Sequence, residues 1–176
     1  MRIAATIAVI ALAATLGAQA AQYARRDVFR NTNATYEKEC GSCHFAYSPG
    51  LLPARSWELH MERLEKHFGE SVVLPAATRE TVRKYLVDNA ADRSPFEGSK
   101  LVMARVDPTT TPYRFQELAL FREMHRIVLE VINRKSKVKV RTLTNCNACH
   151  QFAAEGSFAT GELVVPGLTP PVRAAR

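Results

Sequence analysis

Two copies of one short pattern, Cys40-Gly41-Ser42-Cys43-His44 and Cys146-Asn147-Ala148-Cys149-His150, use every cysteine of the 176-residue chain and two of its five histidines. With five histidines in 176 positions, a histidine after both pairs by chance has a probability of about one in 1,200. C-x-x-C-H is the attachment signature of a c-type haem. Two thiols about one helical turn apart can each form a thioether with one haem vinyl group, and the next residue then turns its imidazole toward the iron. The doubled motif therefore predicts two covalently attached haem c groups, on Cys40 and Cys43 and on Cys146 and Cys149, with His44 and His150 as proximal iron ligands. A four-cysteine zinc site would leave both adjoining histidines unexplained, and its pairs would lie far outside ribbon spacing. A thioredoxin-like redox pair needs a βαβ context that is missing here. Disulfides spanning two residues would staple nothing.

The chain opens with a segment that does not belong to the fold. Arg2 precedes an uncharged apolar run from Ile3 to Leu16, and Ala18-Gln19-Ala20 has the small-x-small form of a signal-peptidase site. Residues 1–20 read as a cleaved signal peptide, too short for a membrane helix. The mature chain then starts at Ala21 and is exported, which sets the expected location as the periplasm and excludes a nucleic-acid role for the basic charge. That charge, +7 over the full sequence, is unevenly placed. Residues 21–92 balance ten basic against ten acidic side chains, whereas residues 93–176 carry thirteen against seven. Arg134, Lys135, Lys137, Lys139 and Arg141 fall close together without an acid between them. This is either a solvated hairpin or a docking patch.

Two haems take up to four axial ligands, so two remain to be found among His60, His67, His125 and the methionines. Trp57, Met61, Leu64 and Phe68 repeat at helical spacing from Ser56 and stop at Gly69, with His60 and His67 on a neighbouring stripe of the same helix. A second helix is expected over 78–90, with Val82, Tyr85 and Leu86 inward. Residues 92–112 hold three prolines and a threonine run and read as linker-like. A longer helix over 113–133 lines up Leu118, Phe121, His125, Val128 and Ile132. Spacing does not separate His60 from His67, and it leaves Met61 and Met124 open as ligands.

The run from Cys40 through His44-Phe45-Ala46-Tyr47-Ser48-Pro49-Gly50 to Trp57 resembles the soluble dihaem cytochromes c. So do His67-Phe68-Gly69-Glu70, Tyr85-Leu86, Thr111-Pro112, His125, the second C-x-x-C-H and Gly156-Ser157-Phe158. The resemblance implies a mainly α fold of two small haem-binding domains joined by a linker, the N-terminal one like a class I cytochrome c. Residues 21–92, 93–112 and 113–176 would be these three parts. It also implies bis-histidine ligation of both haems, with His67 and His125 as distal ligands, and no ligand at His60. The expected function is single-electron transfer by a carrier, not an enzyme. The implied partners are an oxygen-binding monohaem cytochrome (sphaeroides haem protein) as acceptor and a membrane b-type cytochrome as donor. The alternatives are a small dihaem peroxidase or gas-binding sensor with one labile distal ligand, and the dihaem subunit of a periplasmic nitrate reductase. The last has its motifs closer together.

Overall fold

The computed structural model describes residues 27–135 and 143–165. Five α-helices carry the architecture: α1 (Ala34–Cys40), α2 (Ala54–Glu62), α3 (Ala76–Asp88), α4 (Glu97–Met103) and α5 (Ala119–Lys135), with short 3₁₀ turns between and after them. Among the described residues there is no β-strand; the isolated antiparallel bridges are His67 with Glu70 and His150 with Leu163. The signal segment lies outside the described residues.

The helices form where the apolar spacing and end signals demand. Asn33 caps α1 by accepting the Tyr36 N–H at 2.9 Å. α2 buries Trp57, His60 and Met61, and α3 buries Val82, Tyr85 and Leu86, in each case at positions i, i+3 and i+4. Packing these two stripes together, with Tyr36, Leu52, Leu64, Val102 and Leu118, makes the hydrophobic core. Three of its polar groups bond to the backbone, while the buried Ser56 Oγ has no partner among the described residues. Trp57 Nε1 donates to the Pro49 carbonyl at 2.8 Å, Tyr36 Oη donates to the Tyr47 carbonyl at 2.8 Å, and Tyr85 Oη accepts the Thr32 N–H at 3.1 Å.

Two expectations change. The helix that begins near Ser56 does not run to Phe68. It ends at Glu62, and a 3₁₀ turn, Leu64–Lys66, follows. His60 and His67 therefore lie on different elements and not on one helical stripe. The physical reason lies just beyond: Phe68 and Gly69 both take positive φ, 53° and 103°, and fold the chain back so that the Val72 N–H reaches the Leu64 carbonyl at 2.9 Å. The linker-like stretch, in turn, contains α4, which buries Ser99 and Val102, and Phe96 just before it is buried too. Ser99 Oγ donates to the Gly50 carbonyl at 2.8 Å, and Arg55 of α2 donates to the carbonyls of Thr110 and Asp107 at 2.7 and 3.1 Å. The segment packs against the first helices; it does not merely span a gap.

Candidate haem-binding sites

The first motif starts at the last residue of α1, Cys40, and ends on His44. His44 Nδ1 lies 2.7 Å from the Phe45 carbonyl. A carbonyl only accepts, so Nδ1 holds the proton and Nε2 keeps its lone pair for a metal. Facing His44 is His67. Their ring centres are 6.1 Å apart and the planes differ by 23°. His67 opens a two-residue turn closed by paired bonds, its N–H to the Glu70 carbonyl at 2.8 Å and the Glu70 N–H to its own carbonyl at 3.0 Å. Phe68 and Gly69 at positive φ are what a type I′ turn requires. A phenylalanine in that conformation is unusual, and its ring is held by contacts with His60, His67 and Tyr113 and by the Arg114 guanidinium 4.2 Å from its centre.

His60 sits behind this pair. Its ring stacks on Tyr113 at 4.3 Å and lies 5.9 Å from His67. Burial, then the neighbouring His67, pushes its pKa down to about 4, so the imidazole is neutral. His67 is lowered as well, by burial and then by His44.

The second motif repeats the arrangement with different elements. Cys146–Ala148 forms a 3₁₀ turn, and the His150 N–H returns to the Cys146 carbonyl at 2.8 Å. His125 comes from α5. Its Nδ1 is 2.8 Å from the Phe121 carbonyl one turn earlier, which fixes the same tautomer as in His44. The His125 and His150 ring centres are 6.1 Å apart, now with planes at 73°. Burial, then His125, lowers the His150 pKa. Phe158 leans on His150 with ring centres 5.1 Å apart.

These distances test whether the residues fit a haem iron. A metal–imidazole bond is about 2.0 Å, and bond lengths put a five-membered ring's centre about 1.1 Å from its nitrogens. Two imidazoles facing across one metal should therefore have centres about 6.2 Å apart. Both pairs stand at that spacing, each with one member from a C-x-x-C-H motif. All four cysteines are free. Burial pushes the Cys40 and Cys146 thiols up to about 11. Among the described residues no group of three or more His, Cys, Asp or Glu is placed to hold a metal, so a four-cysteine zinc centre does not form. Met61 is buried in the core and Met124 is exposed on α5.

One contact between the halves had no signal in the periodicity. Tyr47 Oη donates to the Thr144 carbonyl at 2.6 Å, while its ring lies 5.2 Å from His44 and 4.4 Å from Phe115. It stands beside an open cleft of about 350 Å³ that Gly41, His44 and Phe45 line from one side and Asn145 and Asn147 from the other. The two motifs thus face a common space. Of the basic run, Arg134 is exposed at the end of α5, 3.9 Å from Glu130; residues 136–142 lie outside the described residues.

The family model for dihaem cytochrome c matches residues 36–158. A diheme cytochrome c from Rhodobacter sphaeroides is 38% identical, superposes with a TM-score of 0.63, and the match covers 73% of this chain and 98% of that one. A dihaem cytochrome c from Shewanella baltica OS155 is 31% identical, with a TM-score of 0.59 over 77% of this chain and 94% of that one. No curated protein matches the chain. A family match across both motifs, and relatives covered over nearly their whole length, give the doubled C-x-x-C-H its setting: the chain belongs to the dihaem cytochrome c family, a mainly helical fold with two haem c groups.

Proposed function

We propose that this dihaem c-type cytochrome is an exported, periplasmic carrier of single electrons whose two irons are each held by two histidines. His44 with His67 would ligate the first, His150 with His125 the second. The observation that carries this reading is the pair of facing imidazoles at 6.1 Å, one pair per attachment motif. Residues 21–92 would form the first haem unit and 113–176 the second, with 93–112 joining them while packing on the first. When bound with both axial positions filled by protein, a haem c offers no open site for oxygen or peroxide and supplies one-electron exchange through its porphyrin edge. The chain's own residues do the rest. The Phe45 and Phe121 carbonyls orient His44 and His125 by their Nδ1 protons, and burial lowers the pKa of His67 and His150, favouring the neutral form in which imidazole binds a metal.

Imidazole in place of a methionine sulfur lowers a haem's potential. A low-potential carrier suits donation to an oxygen-handling haem protein. The family resemblance supplies the partners on the same footing: a membrane b-type cytochrome as donor and an oxygen-binding monohaem cytochrome as acceptor. No helix among the described residues is long and apolar enough to cross a membrane, so electrons from a membrane donor would be collected at its surface.

An optical redox titration with and without carbon monoxide tests the reading. We expect two low-spin haems in both redox states and no spectral change with the gas. A carbon monoxide adduct at either haem of the unmodified protein would replace this reading with the gas-binding or peroxidase one.

A further inference from the structure

The segment at the start of the described chain reaches across to the second motif. The N–H groups of Asp27 and Val28 both donate to the Gly156 carbonyl, at 2.9 and 3.0 Å. That approach is close enough that a Cβ on Gly156, whose φ is +84°, would stand 2.3 Å from the Val28 carbonyl oxygen. Val28 itself is 1% exposed, so this backbone clasp is anchored in the packed interior. The clasp uses only main-chain groups and would form with another side chain at position 27. The Asp27 carboxylate does something additional: it accepts the Phe158 N–H at 2.6 Å. Phe158 is the residue whose ring rests on His150. Position 27 therefore fastens a carboxylate to the residue that packs on the imidazole following the second cysteine pair.

We propose that Asp27 tunes the second haem: its carboxylate, tied to the backbone of Phe158, supplies a fixed negative charge beside His150 and biases the iron bound there toward the ferric state. This rests on the reading of His150 as an iron ligand. A fixed negative charge close to a haem stabilises the higher positive charge of its ferric iron through space. Asp27 is a positioning residue that would act by its charge, from its place on the Phe158 backbone. Its first-haem counterpart is different. There a carboxylate, Glu117, is tied to the Tyr113 N–H at 2.7 Å, but the Tyr113 ring stacks on His60 and not on His67 or His44, so the proposal distinguishes the two sites: the Asp27 charge should depress the second potential and leave the first alone.

The variant Asp27→Asn separates charge from tethering, because the amide oxygen still accepts the Phe158 N–H while the charge is gone. Asp27→Ala removes both. The loaded protein is titrated optically, with each step assigned through the paramagnetic shifts of that haem's own methyl groups. Asp27→Asn should raise the second potential, shifting its ferric-to-ferrous equilibrium about three- to tenfold, or about 28 to about 59 mV for a one-electron couple. The first potential should hold, and both haems should stay low-spin. Asp27→Ala should shift the second potential in the same direction and also lower the denaturant midpoint. An unmoved second potential in Asp27→Asn, or an equal rise at both haems from the altered net charge, would overturn the proposal. So would a shift seen only in Asp27→Ala, which would make position 27 a tether and nothing more. A second haem that is high-spin in the unmodified protein would fail earlier, at the ligand assignment itself.

Discussion

At the scale of single residues the informative comparison is between His60 and His67. Placed on one continuous helix, seven positions apart, the two would be equivalent candidates for the iron opposite His44. The structure separates them by ending α2 at Glu62 and placing His67 at the head of a turn, where it faces His44. His60 is left sandwiched against Tyr113. The family pattern pointed to His67, while spacing alone could not, because the break is made by a backbone reversal that helical periodicity does not encode. The consequence is a pair of opposite outcomes. His67→Ala should open the first iron, giving a high-spin component and carbon monoxide binding at about one haem in two. His60→Ala should leave both haems low-spin and lower stability by about 1–2 kcal/mol through lost packing. The carbon monoxide difference spectrum of each variant decides it, and a reversed result would move the ligand to His60.

Among the elements, those with long apolar stripes were legible and those made by turns were not. The helix expected over 78–90 appears at 76–88 with Val82, Tyr85 and Leu86 buried as foreseen. The helix expected over 113–133 begins only at Ala119, after a 3₁₀ turn at Phe115–Glu117; Phe121, His125, Val128 and Ile132 lie along it, with Leu118 just before its start and both ends of the line buried. By contrast α4 is only seven residues long inside a proline-bearing stretch, so its period had no room to show. The turn around Phe68 and the clasp at Gly156 depend on positive φ, and they can be told apart by what an added methyl would meet. At Gly69 a Cβ finds nothing within 4 Å. Gly69→Ala should therefore cost only backbone strain, about 1–2 kcal/mol. At Gly156 the methyl also collides with main chain at 2.3 Å. Gly156→Ala should cost about 2–3 kcal/mol and release residues 27–28 from the second site. Urea unfolding ranks the two, and hydrogen exchange at the Asp27 and Val28 amides reports the release; equal costs with protected amides would contradict it.

For the molecule as a whole, the sequence reading identified the contents of each half and missed how the halves meet. Both junctions join residues remote in the chain: Tyr47 with Thr144 is 97 positions apart, and Asp27 with Phe158 is 131. No local pattern marks such partners, since a hydroxyl meeting a backbone carbonyl leaves no trace in the residue types around it. Tyr47→Phe keeps the ring against His44 and Phe115 and removes only the bond to Thr144. It should lower stability by about 1 kcal/mol, leave the optical spectrum of both haems unchanged, and weaken the magnetic interaction between the two ferric haems. Electron paramagnetic resonance on the oxidised variant, beside its denaturant midpoint, checks both effects. An unaltered resonance with a normal midpoint would show that the halves are held together by other contacts.

The clasp between residues 27–28 and Gly156 also bears on the order in which the molecule is finished. The helices around Tyr36, Trp57 and Val82 draw on neighbours mostly within the first two-thirds of the chain, so that portion can consolidate while synthesis continues. The second motif needs a segment made near the beginning to meet one made near the end, across 131 positions. Closing so large a loop costs chain entropy that local contacts do not offset until both segments exist. Asp27 thus waits, exposed, for most of the polypeptide to arrive. The later motif gains its backbone clasp last, and a chain cut short before Gly156 would keep both cysteine pairs yet leave residues 27–28 without the carbonyl they grip.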